Sequence, residues 1–64
     1  MVFVYHLSRN LVEYVRSYDN LEQAVRSAHN DQEQGYAYPI KISDGRGETI
    51  LDHDQLLEKF LETE

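Results

Sequence analysis

Sixty-four residues without cysteine, with twelve acids against six Lys and Arg and a formal charge of −6, leave room for one small core that no disulfide or thiolate zinc site staples. That size excludes a second large domain and a deep catalytic cleft, and the charge balance argues against docking on a phosphate backbone or an anionic membrane, which needs clustered Lys and Arg. Apolar residues are 41% of the chain and arrive in short periodic blocks, the pattern of a folded protein and far short of a bilayer span.

Val2-Phe3-Val4-Tyr5-His6-Leu7 is β-branched and aromatic on both faces, which predicts a first strand buried on one side and partly covered on the other. The opening Met1–Tyr5 has no basic flank and no small-residue cleavage pattern, so it reads as strand and not as a signal peptide, and a cytoplasmic location is the default expectation. Ser8-Arg9-Asn10 offers a turn in which Asn10 is suited to a left-handed conformation. Leu11 to Arg16 then returns as a second strand. Leu11, Tyr14, Val15, Tyr18, Leu21, Val25 and Ala28 also recur at helical spacing, so one long helix over 11–34 competes. The Val and Tyr content, and the helix-start residues between Ser17 and Asn20, favour the strand.

The first helix is expected to begin near Asp19, with Glu22 completing a capping box. Leu21, Ala24, Val25 and Ala28 share one face. Residues 29–34 are polar throughout, which predicts an exposed or frayed end closed by Gly35. Tyr36, Tyr38, Ile40 and Ile42 alternate with Ala37, Pro39, Lys41 and Ser43 as a third strand, in which Pro39 requires an edge or a position facing away from a partner. Asp44-Gly45-Arg46-Gly47 is a turn and Glu48 to Leu51 a short fourth strand. Asp52 with Gln55 forms a capping box, Leu51 with Leu56 a hydrophobic staple, and Leu56, Leu57, Phe60 and Leu61 a buried stripe, while Glu62 to Glu64 should fray.

Shifting the second half back by 35 positions lays Phe3–Ser8 over Tyr38–Ser43 and Tyr18–Leu21 over His53–Leu56, with Ser8/Ser43, Glu13/Glu48, Asp19/Asp54 and Leu21/Leu56 identical. The two structural halves, 1–35 and 36–64, thus share a plan of strand, turn, strand and capped helix. The expected fold is a single α+β domain, ββαββα, with a four-stranded mainly antiparallel sheet and both helices on one face, compatible with an approximate internal two-fold.

Candidate chemistry is thin. An imidazole between two carboxylates, Asp52-His53-Asp54, is a conceivable metal ligand or base, but consecutive residues at a helix start point apart and Asp52 is wanted as the cap, so His53 reads as part of a solvated helix N-terminus. The glycine turn from Ser43 to Glu48 lacks the Lys-Ser/Thr pair and the following helix of a phosphate loop. The serines have no His and Asp partners in any motif. No catalytic residue, metal ligand or cofactor site is singled out.

Two candidate contact surfaces remain. Tyr5, Tyr14, Tyr36 and Tyr38 fall in or beside strands and suit a protein contact on an open sheet face; base stacking would want basic residues beside them. Residues 44–64 carry seven acids against Arg46 and Lys59, which makes Glu48, Asp54 and Glu58 the second surface. The expected function is a non-enzymatic protein-interaction module, self-associating as a homodimer or binding a protein partner by the open sheet face, an edge strand or the acidic last helix. No direct nucleic-acid or membrane contact and no cofactor are expected. The alternative is an inhibitor that imitates nucleic acid, which needs Asp44, Glu48, Asp52, Asp54, Glu58 and Glu62 along one surface. A metal-binding regulator comes third.

Overall fold

The computed structural model describes residues 2–62. Strands β1 (Phe3–Arg9) and β2 (Val12–Tyr18) precede helix α1 (Leu21–Glu33), and strands β3 (Tyr38–Asp44) and β4 (Thr49–Leu51) precede helix α2 (His53–Glu62). The strands form one antiparallel sheet in the order β2-β1-β3-β4. Each half contributes a central strand and an outer one, so the order is symmetric about the β1–β3 boundary, as the shared plan of the halves expects. Of the end expected to fray, Glu62 still belongs to α2, and Thr63 and Glu64, like Met1, lie outside the described residues.

Both helices cover one face. Tyr5 and Leu7 of β1, Ile42 of β3, Ala24 and Ala28 of α1, and Leu56 and Phe60 of α2 form the buried core, with Phe3, Tyr18, Leu21, Val25, Ala37, Leu51 and Leu57 at its margin. The alanines let α1 lie close to the sheet, and the larger Leu56 and Phe60 fill the space beneath α2. The ring of Phe60 stacks on His29 at 4.8 Å, which joins the two helices.

Residues 12–18 pair with β1 in unbroken register from Phe3↔Tyr18 to Arg9↔Val12, so the long helix over 11–34 is not formed. The turn lies one residue later than its sequence suggests. Asn10 and Leu11 both take positive φ, 53° and 67°, the pair of left-handed residues that a two-residue hairpin loop needs to match strand twist. Leu11 is therefore a turn residue, wholly exposed, and not the start of β2.

Helix α1 is capped by Asn20 and not Asp19. Asn20 keeps an extended backbone and its side chain accepts from the Gln23 N–H at 2.8 Å, because the cap must be the last residue before the apolar stripe opens at Leu21. Glu22 is left to pair with Arg26 at 2.9 Å. At the other end Gly35 has φ +67°, Tyr36 N–H bonds Asp31 C=O at 2.9 Å and Gly35 N–H bonds Gln32 C=O at 3.2 Å, a left-handed termination that satisfies the last carbonyls. The polar end is not frayed or wholly exposed: Asp31 is buried and extends the face of Ala24 and Ala28 by one further turn.

Strand β3 carries an irregularity opposite His6 and Leu7: Lys41 pairs with His6 but Pro39 with Leu7, leaving Ile40 unopposed. This bulge shifts the phase, so that Pro39, and not Tyr38 or Ile40, is the fully buried residue beside Leu7. Pro39 lies beyond the reach of β4, whose pairing covers only Ile42 and Ser43, and its missing N–H leaves no ladder bond unmade. Helix α2 begins with the reciprocal box: Asp52 accepts from Gln55 N–H at 2.8 Å and Gln55 accepts from Asp52 N–H at 3.0 Å. Leu56 and Phe60 are buried, but Leu61 is 71% exposed and leaves the stripe.

Candidate protein-contact surface

The sheet has two edges of very different character. Strand β4 is three residues long, whereas β2 is seven, has β1 as its one neighbour, and exposes every residue from Val12 to Ser17. Register with β1 places Val12, Tyr14, Arg16 and Tyr18 on the helix side and Glu13, Val15 and Ser17 on the other. Helix α1 lies chiefly over β1 and β3, so most of β2 stays uncovered: Val12, Tyr14 and Val15 are 50%, 51% and 59% exposed. Tyr18 is tied to α1, its hydroxyl 2.6 Å from Ser27 Oγ.

Beneath the helix-side face lies a polar cluster that orders this edge. The Asp31 carboxylate accepts from the Tyr5 hydroxyl at 2.9 Å and sits 3.6 Å from the Arg16 guanidinium. Burial, and then the hydrogen bond to Asp31, push the Tyr5 phenol well above its ordinary pKa. Arg9 lies over the Tyr36 ring at 4.3 Å and donates to its hydroxyl at 3.1 Å, with Arg16 at 5.9 Å from the same ring. Tyr14, Tyr36, Arg9 and Arg16 thereby line one shallow depression.

The four tyrosines expected to act together are divided. Tyr5 is fully buried and is removed from the contact set, since its alternation in β1 points it at the helices. Tyr14 and Tyr36 share the β2 side of the molecule. Tyr38 stacks on His53 at 4.5 Å and meets Tyr36 only along a shallow groove that also includes Asn10 and Leu57. Of the four tyrosines the register brings only Tyr38, opposite Ser8, to the helix-free sheet face: Val4, His6, Ser8, Glu13, Val15, Ser17, Lys41 and Ser43 alternate onto it, a mostly polar set. There His6 Nε2 is hydrogen-bonded to Ser43 Oγ at 2.8 Å, and its Nδ1 lies 3.5 Å from Glu13.

The acids divide as well. Asp44 accepts from the Arg46 and Glu48 N–H groups at 2.8 and 2.9 Å, so its own carboxylate fills the anion position that the glycine turn resembled. Asp52 is spent as the cap of α2. Glu48, Asp54 and Glu58 are exposed, near or on the β4–α2 side, across the sheet from β2. His53 is not a solvated residue: it is half-buried, and because a carbonyl only accepts, its Nδ1–H donates to Pro39 C=O at 2.7 Å. Among the described residues no three His, Asp or Glu side chains converge as metal ligands, and no helix is long and apolar enough to cross a membrane.

No protein-family profile, curated protein or solved structure matches this chain. What it does has to be read from its own surfaces. Three residues that shape the β2 side were missed in the sequence: Arg9, Arg16 and Asp31. Asp31 carried a signal, three residues beyond Ala28 on the same helical face; the arginines carried none until register was known.

Proposed function

We propose that this chain is a non-enzymatic protein-interaction module whose contact surface is the β2 edge with Tyr14 and Tyr36 beside it. The observation that carries the proposal is a seven-residue, unbulged edge strand exposing Val12, Tyr14 and Val15. Unpaired N–H and C=O groups along such an edge are a template for strand addition, and natural edges are usually shortened, bulged or covered to prevent it. Here β4 is shortened and β2 is not.

The test is capture of partners from the native host with two variants as bait. Tyr14→Ser with Val12→Lys should lose the partner while keeping the parent's circular dichroism, and Glu48→Lys with Asp54→Lys and Glu58→Lys should retain it. The reverse result favours the imitation of nucleic acid. For that reading, Asp54, Glu58 and Glu62 recur every four residues along α2, about 6 Å apart by helical rise, although Asp44 and Asp52 are already engaged by backbone donors.

A further inference from the structure

We infer that the occupant of the β2 edge is a second copy of this chain, paired antiparallel about a two-fold axis that passes between the two Val15 residues. The inference rests on β2 being the contact surface and names its partner. A strand paired with its own copy in this way meets itself at one central residue, and every other residue meets the one equally far beyond the centre. The sequence of β2 then selects the centre. With Val15 in the middle, Tyr14 faces Arg16, Glu13 faces Ser17 and Val12 faces Tyr18, so all seven residues of each strand are paired.

Other centres fail on charge or on length. Centring on Glu13 or Arg16 sets like charges directly opposite each other, which destabilises a cross-strand pair. Centring on Tyr14 carries Ser17 and Tyr18 past Leu11 and Asn10, whose left-handed backbone cannot continue a ladder. The Val15 centre instead joins two β-branched side chains on one face and two Tyr14–Arg16 pairs on the other, where guanidinium can lie over the ring.

Charge permits the same arrangement. Of the twelve acids, Glu48, Asp52, Asp54, Glu58 and Glu62 lie in or beside β4 and α2, at the far edge of the sheet. Strand β2 carries one acid and one base, Glu13 and Arg16. The repulsion expected from a charge of −6 per copy is thus held away from the axis. The axis stands perpendicular to the sheet, which gives eight strands in the order β4-β3-β1-β2-β2-β1-β3-β4 with all four helices on one side.

The absence of cysteine makes single-cysteine variants clean reporters. Opposed residues in an antiparallel pair have Cα atoms about 4.5–5.5 Å apart, within disulfide reach. Under mild oxidation Val15→Cys should form a covalent dimer and Tyr14→Cys should not. Sedimentation at high micromolar concentration gives the second arm: Tyr14→Glu, which sets a carboxylate opposite Arg16 of the other copy, should tighten the dimer severalfold, and Val15→Lys should weaken it at least tenfold. Cross-linking of Tyr14→Cys in place of Val15→Cys, or a dimer weakened by Tyr14→Glu, overturns the Val15 centre. A parent that stays monomeric with no cross-link overturns the second copy as occupant. If that monomer still loses its host partner with Tyr14→Ser and Val12→Lys, β2 remains the contact surface and only its occupant is wrong. Should Val15→Lys unfold, the cysteine pair and Tyr14→Glu decide.

Discussion

Asp31 is the residue on which the interior and the proposed contact surface meet, since one carboxylate oxygen serves the buried Tyr5 hydroxyl and the Arg16 guanidinium of β2. Removing it as Asp31→Ala leaves that hydroxyl buried without its acceptor, and urea denaturation should show a loss of roughly 1–3 kcal/mol. The same pairing predicts an alkaline limit. The phenol of Tyr5 titrates near 10 in the unfolded chain and higher in the folded one, so above pH 10 the folded state holds the proton more tightly. This contribution is intact below that pH and fades as pH rises beyond it; Tyr5→Phe should flatten the fall in stability relative to the parent. Two further positions separate local backbone effects. Asn20→Ala should lower stability by about 1 kcal/mol, whereas Asp19→Ala, one residue before the cap, should change melting little. Leu11 has a left-handed backbone that costs a side-chain-bearing residue about 1–2 kcal/mol, so Leu11→Gly should raise the melting temperature despite the added chain entropy of glycine.

At the scale of elements, α2 is fixed at its start by Asp52 and along its length by two buried residues. Thermal or urea unfolding should rank the variants: Phe60→Ala costs about 3–5 kcal/mol, Asp52→Ala about 1 kcal/mol, and Leu61→Ala almost nothing, since Leu61 is outside the core. A Leu61→Ala loss as large as that of Phe60→Ala would mean that α2 is docked on a different face. The elements themselves were legible because their signals are local: alternating Val, Phe and Tyr in β1, the capping box at Asp52, glycine at the end of α1. What was illegible depends on contacts distant in sequence. The alternation in residues 36–43 is real, yet the unopposed Ile40 divides it, so Tyr38 and Ile42 have the same parity and different surroundings. Tyr5 looks like any strand tyrosine until Asp31, twenty-six residues away, is found to accept a hydrogen bond from its hydroxyl. The candidate surface was half visible: Tyr14 and Tyr36 were named, but which edge of the sheet they occupy follows from strand order, which no residue announces.

For the whole molecule, acids gather towards the β4–α2 edge while the exposed Val12, Tyr14 and Val15 lie on β2. The two proposed kinds of partner therefore respond to salt with opposite sign. A β2-paired dimer of two negatively charged copies should tighten modestly as salt screens their repulsion, whereas an acidic surface bound to a basic target should loosen. Sedimentation and partner affinity at low and high salt measure the two, and weakening of the dimer by salt would argue that exposed charges hold it. Charge reversal at Glu48, Asp54 and Glu58 should leave self-pairing within a few fold of the parent. The shortness of β4 has a consequence for how far such assembly can go. A sheet with two adhesive edges adds copies without limit and becomes a fibre; here the second edge offers the three residues of β4, followed at once by a helix, and the start of β3, which is broken by its bulge and by Pro39 without an N–H, so it gives a third copy no regular strand to join. Self-pairing through β2 is thereby closed at two, and the trimming of β4 is what would keep a sticky strand from becoming a polymer.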